Sequence, residues 1–343
     1  MKRRTKILFL ENIELYISAG LALYTALDAV GAVFKKKQKS IIMSVRVDVE
    51  RGNLFSKSLG KHASFSPSII GLIEQGERSG NIPHALSLAR NILEREDSLI
   101  KTCTGALAYP VVILIFALIL TLGLMRGVMP QITPLLKSLH VSLPLMTRVM
   151  MFVSEHIVSY GLYILIILSV FILLFIILYK RSYFIKILCH TILLRVPLLG
   201  KLFRYYCLSL TLRSLGSLAT SGMNIVDSYI YSTKNIPLIP LRKIFTSQTK
   251  SLSHGSSLLS VFSRMKNIPN HIAPLIGAGE ASGTLGTSLV RSADIIDRDI
   301  EQSLKRLTAL IEPIMMIGIG CIVGSIAISI MMPIYDVSKA LQH

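Results

Sequence analysis

The chain has 343 residues, of which 52% are hydrophobic and only 16% are charged, and its mean hydropathy is +0.59. It carries 37 Lys and Arg against 19 Asp and Glu, a formal net charge of +18. This composition excludes a disordered chain and most ordinary cytosolic enzymes, because a water-soluble core alone does not require so many apolar residues. We therefore expect a basic membrane protein.

The first predicted domain, residues 1–104, begins with a basic stretch and continues as helix. The apolar run after Lys6 ends at Glu11, which is too short for a signal peptide, so we expect no cleaved leader. Strand signals are weak, and apolar residues recur at the spacing of one helix face, as in Leu86, Ala89, Ile92 and Leu93. These observations predict a small antiparallel helical bundle.

Three uncharged apolar stretches are long enough for helices that cross a bilayer, which needs roughly 20 residues. They are Gly105–Met125, Tyr160–Tyr179 and Pro313–Pro333. We therefore predict transmembrane helices at 105–128, 160–179 and 313–333, with a loop at 129–159, a second helical domain at 180–312 and a tail at 334–343.

The distribution of basic residues predicts the orientation. Sixteen Lys and Arg precede Pro110 and 17 lie between Lys180 and Glu312, whereas 129–159 holds only two. Because basic loops stay on the cytoplasmic side, both helical domains and the N-terminus are expected there. The loop of 129–159, the tail and the C-terminus are expected to face outward.

The chain is an internal duplication. Glycines and acidic residues of the first half recur 203 residues later, so that Gly76, Glu77, Ser79 and Gly80 become Gly279, Glu280, Ser282 and Gly283. Pro110 and Pro313 are related in the same way, while Gly20 and Gly222 are 202 residues apart. Each copy is a helical domain that leads into one span, and 160–179 returns the chain to the side on which it began.

The repeated segment from Gly76 to Gly80 predicts a corner between two helices. Gly80 and Gly283 are expected in the left-handed conformation that ends a helix. Glu77 and Glu280 are interpreted as charges that cap or orient this corner, where a following helix offers free N–H groups. The alternative is a surface that binds a basic residue of a partner or a divalent cation.

The acidic residues nearer the first and third spans have two interpretations. Glu94 and Glu96, with their copies Asp297 and Asp299, are expected to lie on solvated helix faces. The alternative is a rim that receives a docking protein.

Two prolines and two glycines in the first and third predicted spans are candidate structural residues. Pro110 and Pro313 stand where the first and third spans begin, and a proline there tolerates a helix start or imposes a kink. Gly320 and Gly324 form one GxxxG pair, which predicts close helix packing within or between chains; lipid-exposed glycine is the alternative.

Motifs for catalysis or cofactor binding are missing from the sequence. It contains no GxxxxGK[ST], HExxH or GxSxG, its histidines fall singly, and its four cysteines have no ligand spacing. The basic run Lys35–Lys39 has no interleaved aromatic residues, which argues against nucleic acid. We therefore expect no enzyme activity, no cofactor and no metal.

With the duplication established, the chain closely resembles the platform proteins of bacterial type II secretion and type IV pilus machines, the GspF/PilC family. Beside the two glycine-bounded corners, the resemblance rests on Tyr109-Pro110, Glu312-Pro313, Leu143-Pro-Leu-Met-Thr-Arg148, Val196-Pro-Leu-Leu-Gly200 and Leu218-Ala-Thr-Ser-Gly222. The matches follow one another over nearly the full length.

The resemblance implies an oligomeric inner-membrane core with two helical cytoplasmic domains. It also implies contact with a hexameric cytoplasmic assembly ATPase, with pilin or pseudopilin subunits and with other inner-membrane assembly proteins. A membrane transporter or membrane-embedded enzyme with regulatory domains is the alternative from another class, and a membrane scaffold unrelated to filaments is a third. Neighbouring genes for an assembly ATPase and a pilin precursor would separate these possibilities.

Overall fold

The computed structural model describes residues 1–62, 65–127, 145–265 and 268–340. These residues form fifteen helices and no strand, which confirms the predicted all-α fold class. The helices fall into two series that correspond to the two copies of the duplication.

The first repeat consists of six helices. They are α1 (Arg3–Ser18), α2 (Leu23–Val33), α3 (Lys36–Glu50), α4 (Phe55–Gly60), α5 (Pro67–Ser79) and α6 (Ile82–Gly127). Pro67 starts α5 at a position where a missing N–H costs nothing, and Gly80 ends it with a φ of +71°. The apolar faces of these helices meet in one core that includes Phe9, Leu72 and Leu86.

A long helix, α7 (Leu145–Arg181), connects the repeats. The second series is α8 (Tyr183–Arg195), α9 (Leu199–Thr220), α10 (Ile225–Lys234), α11 (Ile239–Ser247), α12 (Thr249–Ser253), α13 (Leu258–Ser263), α14 (Ile272–Ala281) and α15 (Leu285–Ala340). Side chains cap two of the short helices: Asn224 accepts a hydrogen bond from the N–H of Val226, and Ser257 accepts one from Ser260.

The repeats match in structure as well as in sequence. At a separation of 202 residues, the four buried residues of α2 correspond to four buried residues of α10: Ala26, Leu27, Val30 and Gly31 to Ser228, Tyr229, Ser232 and Thr233. The duplication also pairs α1 with α9 at 202 residues, and α4 with α13, α5 with α14 and α6 with α15 at 203 residues. One helix of the first repeat, α3, is replaced by two, α11 and α12.

The described residues form two compact units. The first, called here the helical unit, consists of Met1–Cys103 and Ile187–Ser303; the second, the span unit, consists of the described parts of Thr104–Lys186 and Leu304–His343. Both repeats therefore share one compact body. Within the helical unit, α5 of the first repeat packs against α9 and α10 of the second.

Three helices are long and apolar enough to cross a membrane, and they lie in α6, α7 and α15. Of the side chains that the structure describes in the most apolar part of each, none is buried within the protein. A further apolar pair, α8 and α9, is bent by 109°. Most of α9 from Cys207 to Leu218 is buried in the helical unit, which does not fit a helix in lipid.

The long helices continue through the points where the sequence suggests breaks. Pro110 and Pro313 lie inside α6 and α15, so neither proline starts a helix. The segment predicted as a loop at 129–159 is helical from Leu145 onward, and its first part lies outside the described residues. The predicted tail is helical as far as Ala340. Apolar helices gain from internal hydrogen bonds in lipid, and a proline there is tolerated.

Candidate functional site

Glu77 closes the N-terminus of α4. It lies in the last turn of α5, and its two carboxylate oxygens accept hydrogen bonds from the N–H of Phe55 at 2.5 Å and of Ser56 at 3.0 Å. The hydroxyl of Ser56 donates a third bond, also 2.5 Å long. The carboxylate thus satisfies the first free N–H groups of α4 and places a negative charge at the positive end of that helix.

Glu280 makes the same contacts in the second repeat. Its oxygens accept from the N–H of Leu258 at 3.0 Å and of Leu259 at 3.2 Å, the first two residues of α13. Leu259 stands where the first repeat has Ser56, so the hydroxyl bond is missing here. Both carboxylates therefore fix a short helix that precedes them in the chain by 21 or 22 residues.

The capped helix is not the one that the sequence suggests. At the corner itself, Asn81 accepts a hydrogen bond from the N–H of His84 and serves the following helix, α6. Glu77 instead turns back to α4, because α4 and α5 pack side by side. Both oxygens of each carboxylate accept hydrogen bonds from backbone N–H groups, and binding of a partner residue or a cation at these carboxylates stays a prediction. Within the described residues, no cluster of three or more metal-ligating side chains occurs.

The two corner glycines adopt the left-handed conformation. Gly80 and Gly283 have the same φ of +71°, and a Cβ built on either would meet no described atom within 4 Å. The requirement for glycine at both positions is therefore conformational, since L residues with side chains rarely adopt this φ.

The two span prolines have different surroundings in the span unit. Pro110 and Tyr109 line an apolar cavity of about 120 Å³ together with Thr308, Glu312 and Met316 of α15. The hydroxyl of Thr308 also lies 3.5 Å from the carbonyl oxygen of Ala106. Pro313 is exposed. The starts of the first and third spans thus meet at duplicated positions.

Gly320 and Gly324 have no packing partner among the described residues. A Cβ built on either glycine meets nothing within 4 Å. Close packing of this GxxxG pair against another helix of the same chain is therefore not seen in the described part of the structure, and packing between chains stays a prediction.

Glu96 is buried between the repeats rather than solvated. Only 14% of its side chain is exposed; Arg3 of α1 lies 3.9 Å away, and the side-chain amide of Asn235, the residue that follows α10, lies beside it. Burial raises the pKa of Glu96 above its ordinary value, and the charges of Arg3 and Lys6 oppose this. Burial, aided by the charge of Glu96, raises the pKa of the nearby Tyr206 to about 12.

A second buried group of charges lies within the second repeat. Arg213 of α9, which is 6% exposed, donates to Asp297 at 2.6 Å and to Asp294 at 2.9 Å. The hydroxyl of Ser209 donates to the other oxygen of Asp297. Burial raises the pKa of Asp297, while Ser209 and Arg213 act in the opposite direction. This network ties α9 to α15.

Sequence reasoning missed both buried groups. Arg213 has Glu11 as its equivalent in the first repeat, so the duplication carries no signal for this network. Glu96 has an acidic equivalent, Asp299, which lies 3.8 Å from His271 and is about one-third exposed. The one available signal was the charge of Arg213, which has no other charged residue near it in the sequence from Tyr205 to Thr220.

The chain matches the family model described as "Type II secretion system (T2SS), protein F", over residues 9–130 and 211–333. The two matched stretches are the two repeats, each with the span that follows it. Together they cover more than half of the chain.

Curated proteins of both kinds of machine are similar over nearly the whole chain. A "Type IV pilus assembly protein PilC" of Thermus thermophilus is 29% identical over 336 residues, which cover 97% of this chain and 82% of that protein. A protein of the same description from Pseudomonas aeruginosa is 23% identical, covering 97% and 90%. A "Type II secretion system protein F" of Pseudomonas aeruginosa is 24% identical, covering 94% and 80%. On this evidence the chain belongs to the type II secretion system protein F family, and its three apolar helices make it a multi-pass inner-membrane member.

Proposed function

We propose that this protein is a non-enzymatic platform of a type IV pilus or type II secretion machine. In this role it couples a hexameric cytoplasmic assembly ATPase to the addition of pilin or pseudopilin subunits to a filament. The observation that carries the proposal is the pair of uninterrupted helices, α6 and α15, each of which continues from a helical repeat into an apolar span.

The continuity of these helices supports a mechanical role. A helix resists bending and compression because its backbone hydrogen bonds run along its axis; this bond is missing where an interior proline, such as Pro110 in α6 or Pro313 in α15, has no N–H. The helix that precedes each long helix, α5 or α14, is tied by its carboxylate, Glu77 or Glu280, to the short helix beside it, α4 or α13. A movement imposed on the helical unit by the ATPase would reach the spans through α6 and α15.

The charge distribution supports an orientation with the helical unit in the cytoplasm. Nearly all Lys and Arg lie in the two segments that form this unit or flank it, and such segments stay inside. The N-terminus is then cytoplasmic and the C-terminus lies outside. A cytoplasmic ATPase would have access to the helical unit, and membrane-held pilins would meet the spans.

Relatives named as pilus assembly and secretion proteins support the proposed partners. We expect the platform to be a homo-oligomer that works with other inner-membrane assembly proteins.

The test is to interrupt α6 where the two compact units divide. A Pro-Gly pair inserted between Cys103 and Thr104 would break the helix, because proline has no N–H and clashes with the preceding turn, without removing any contact of the helical core. We expect the variant to insert into the membrane and to co-purify with the ATPase, but to assemble no filament. The matched control is the same insertion between Ser182 and Tyr183, where α7 has already ended and α8 begins; this variant should assemble filaments.

Two outcomes would contradict the proposal. The first is filament assembly by the variant with the interrupted α6, which would show that the helix transmits nothing needed for assembly. The second is a wild-type chain that associates with neither an assembly ATPase nor pilins when cross-linked in its host membrane.

A further inference from the structure

One face of α5 is covered by the second repeat, whereas the equivalent face of α14 is open. The covered face consists of four residues at spacing i, i+3, i+4 and i+7, which is one helix face. They are Ser68, Gly71, Leu72 and Gln75, and at a separation of 203 residues their equivalents are His271, Pro274, Leu275 and Ala278. All four equivalents are exposed; Leu275 is 36% exposed, whereas Leu72 is 0% exposed.

The internal contact shows what kind of surface this face binds. The hydroxyl of Ser68 donates to the carbonyl oxygen of Tyr231 in α10 at 3.1 Å, and the ring of Tyr231 lies over Gly71. The hydroxyl of Tyr231 donates to Glu74 at 2.8 Å. Leu218, at the end of α9, belongs to the same core as Leu72. The end of α9 and the face of α10 therefore cover α5.

The first repeat has a surface equivalent to the part of α9 and α10 that covers α5, and this surface is also open. Four residues in α9, in α10 and in their connection contact or adjoin the face of α5, namely Leu218, Gly222, Met223 and Tyr231. Their equivalents 202 residues earlier are, in the same order, Tyr16, Gly20, Leu21 and Ala29. Gly20 is exposed and the other three are half-buried. Their apolar neighbours Leu15 and Tyr24 are 64% and 50% exposed.

The two open surfaces are complementary in size. In the internal contact the small residue is Gly71 on α5 and the large one is Tyr231 on α10; a Cβ on Gly71 would lie 3.0 Å from that ring. In the open pair the larger residue is Pro274 on α14 and the smaller one is Ala29 on α2. The larger side chain therefore lies on the other of the two helices than in the internal contact. An approach of α14 to α2 as close as that of α5 to α10 leaves space for both residues.

The two open surfaces also match in polarity. The internal contact has a polar pair, Tyr231 with Glu74, whose equivalents are Ala29 and Gly277. Neither equivalent has a polar side-chain atom, so their contact would bury no unpaired group. The helices α2 and α14 are also both short, at 10–17 residues, and apolar in composition.

We infer that the exposed face of α14 binds the α1–α2 surface of a second copy of this chain, in the arrangement that joins α5 to α9 and α10 within one chain. The inference rests on the homo-oligomeric platform proposed above and names the surface that builds it. The contact is head-to-tail, with different surfaces on the two copies. Such contacts close into a ring when the rotation per copy allows it and otherwise continue as an open chain.

The first test is a disulfide between copies. Two differently tagged full-length chains, one with Ala29→Cys and the other with Pro274→Cys, are co-expressed, purified in detergent and oxidised. We expect a disulfide-linked species that carries both tags. The controls are the two chains without the substitutions and the pairing of Pro274→Cys with Lys37→Cys, an exposed position on α3; neither should give the species. Absence of the linked species from the Ala29 and Pro274 pair overturns the inference.

The second test uses charge on the exposed face. Leu275→Arg should lower the oligomeric mass of the full-length chain in detergent, measured by light scattering, with no change in helix content. Val47→Arg is the matched control, because Val47 is also 36% exposed but lies on α3, and it should leave the mass unchanged. An unchanged mass for Leu275→Arg overturns the inference, as does a wild-type chain that is monomeric.

A third measurement separates self-association from lipid contact. A fluorophore attached to Leu275→Cys in nanodiscs should be shielded from lipid-soluble quenchers, because a protein surface covers it. Strong quenching by lipid-soluble reagents would mean that a membrane covers this face, and it would overturn the inference. Because all three readouts concern self-association of the purified chain, their failure leaves the proposed coupling of ATPase and pilin to be tested separately.

Discussion

Glu77 and Glu280 are 203 residues apart in sequence and make the same pair of backbone hydrogen bonds. Each accepts from the first two N–H groups of a six-residue helix, α4 or α13, from its place in the last turn of a neighbouring helix, α5 or α14. A six-residue helix is too short to be stable alone. The two carboxylates therefore hold equivalent weak elements in the two repeats.

Replacing these carboxylates tests how much each cap contributes. Glu77→Ala should destabilise the folded chain by about 1–3 kcal/mol, because it leaves buried N–H groups without acceptors. Glu280→Ala should cost less, since Leu259 offers no hydroxyl in place of that of Ser56. The measurement is urea unfolding of the purified chain followed by circular dichroism. The exposed residue Glu11 provides the control, and Glu11→Ala should have little effect. Equal stability of the Glu77 variant and wild type would contradict the assigned role.

The buried Glu96 predicts a pH dependence. Because burial raises its pKa in the folded state, the folded chain binds this proton more tightly than the unfolded chain does. Its contribution to stability therefore falls as pH rises from the ordinary glutamate value through the raised one. Glu96→Gln should be more stable than wild type at neutral pH, and the difference should shrink as the solution is acidified. Unfolding at a series of pH values measures this, and a difference that does not vary with pH would contradict it.

The network around Arg213 predicts that one substitution destabilises the folded chain more than two substitutions made together. Arg213→Met alone leaves Asp297 buried without its cation, which typically costs about 3–5 kcal/mol. Arg213→Met combined with Asp297→Leu removes both charges and should recover most of the loss. The thermal midpoint of the purified chain is the readout. A double variant no more stable than Arg213→Met would show that packing, and not the unpaired charge, causes the loss.

A close helix approach predicts intolerance of one methyl group. A Cβ on Gly216 of α9 would lie 2.7 Å from the carbonyl oxygen of Gly286 in α15, and backbone atoms there have no freedom to move aside. Gly216→Ala should therefore destabilise the chain by about 1–3 kcal/mol, although alanine is the better helix former. Gly60→Ala is the control, since its Cβ meets only Ile70 at 3.7 Å. If Gly216→Ala raises the thermal midpoint, the described approach of α9 and α15 is incorrect.

Local patterns in the sequence predicted the helical class, the three apolar helices and the corner glycines, because each depends on residues close together in the chain. The acceptor of the Phe55 N–H could not be predicted, since Glu77 is 22 residues away and only the packing of α5 on α4 brings it near. Glu96 was expected in solvent for a similar reason. Its burial results from the second repeat, whose α10 places Asn235 beside it. Pro110 was interpreted as a helix start or a kink, and the structure places it inside α6.

The unbroken course of α6 has a mechanical consequence. Its 46 residues span about 69 Å at 1.5 Å per residue, roughly twice the thickness of the hydrocarbon layer. Along this length the chain passes from the helical unit to the span unit as continuous helix, with no loop at Cys103 and Thr104, where the two units divide. An insertion at that point therefore alters the helix itself and not a linker.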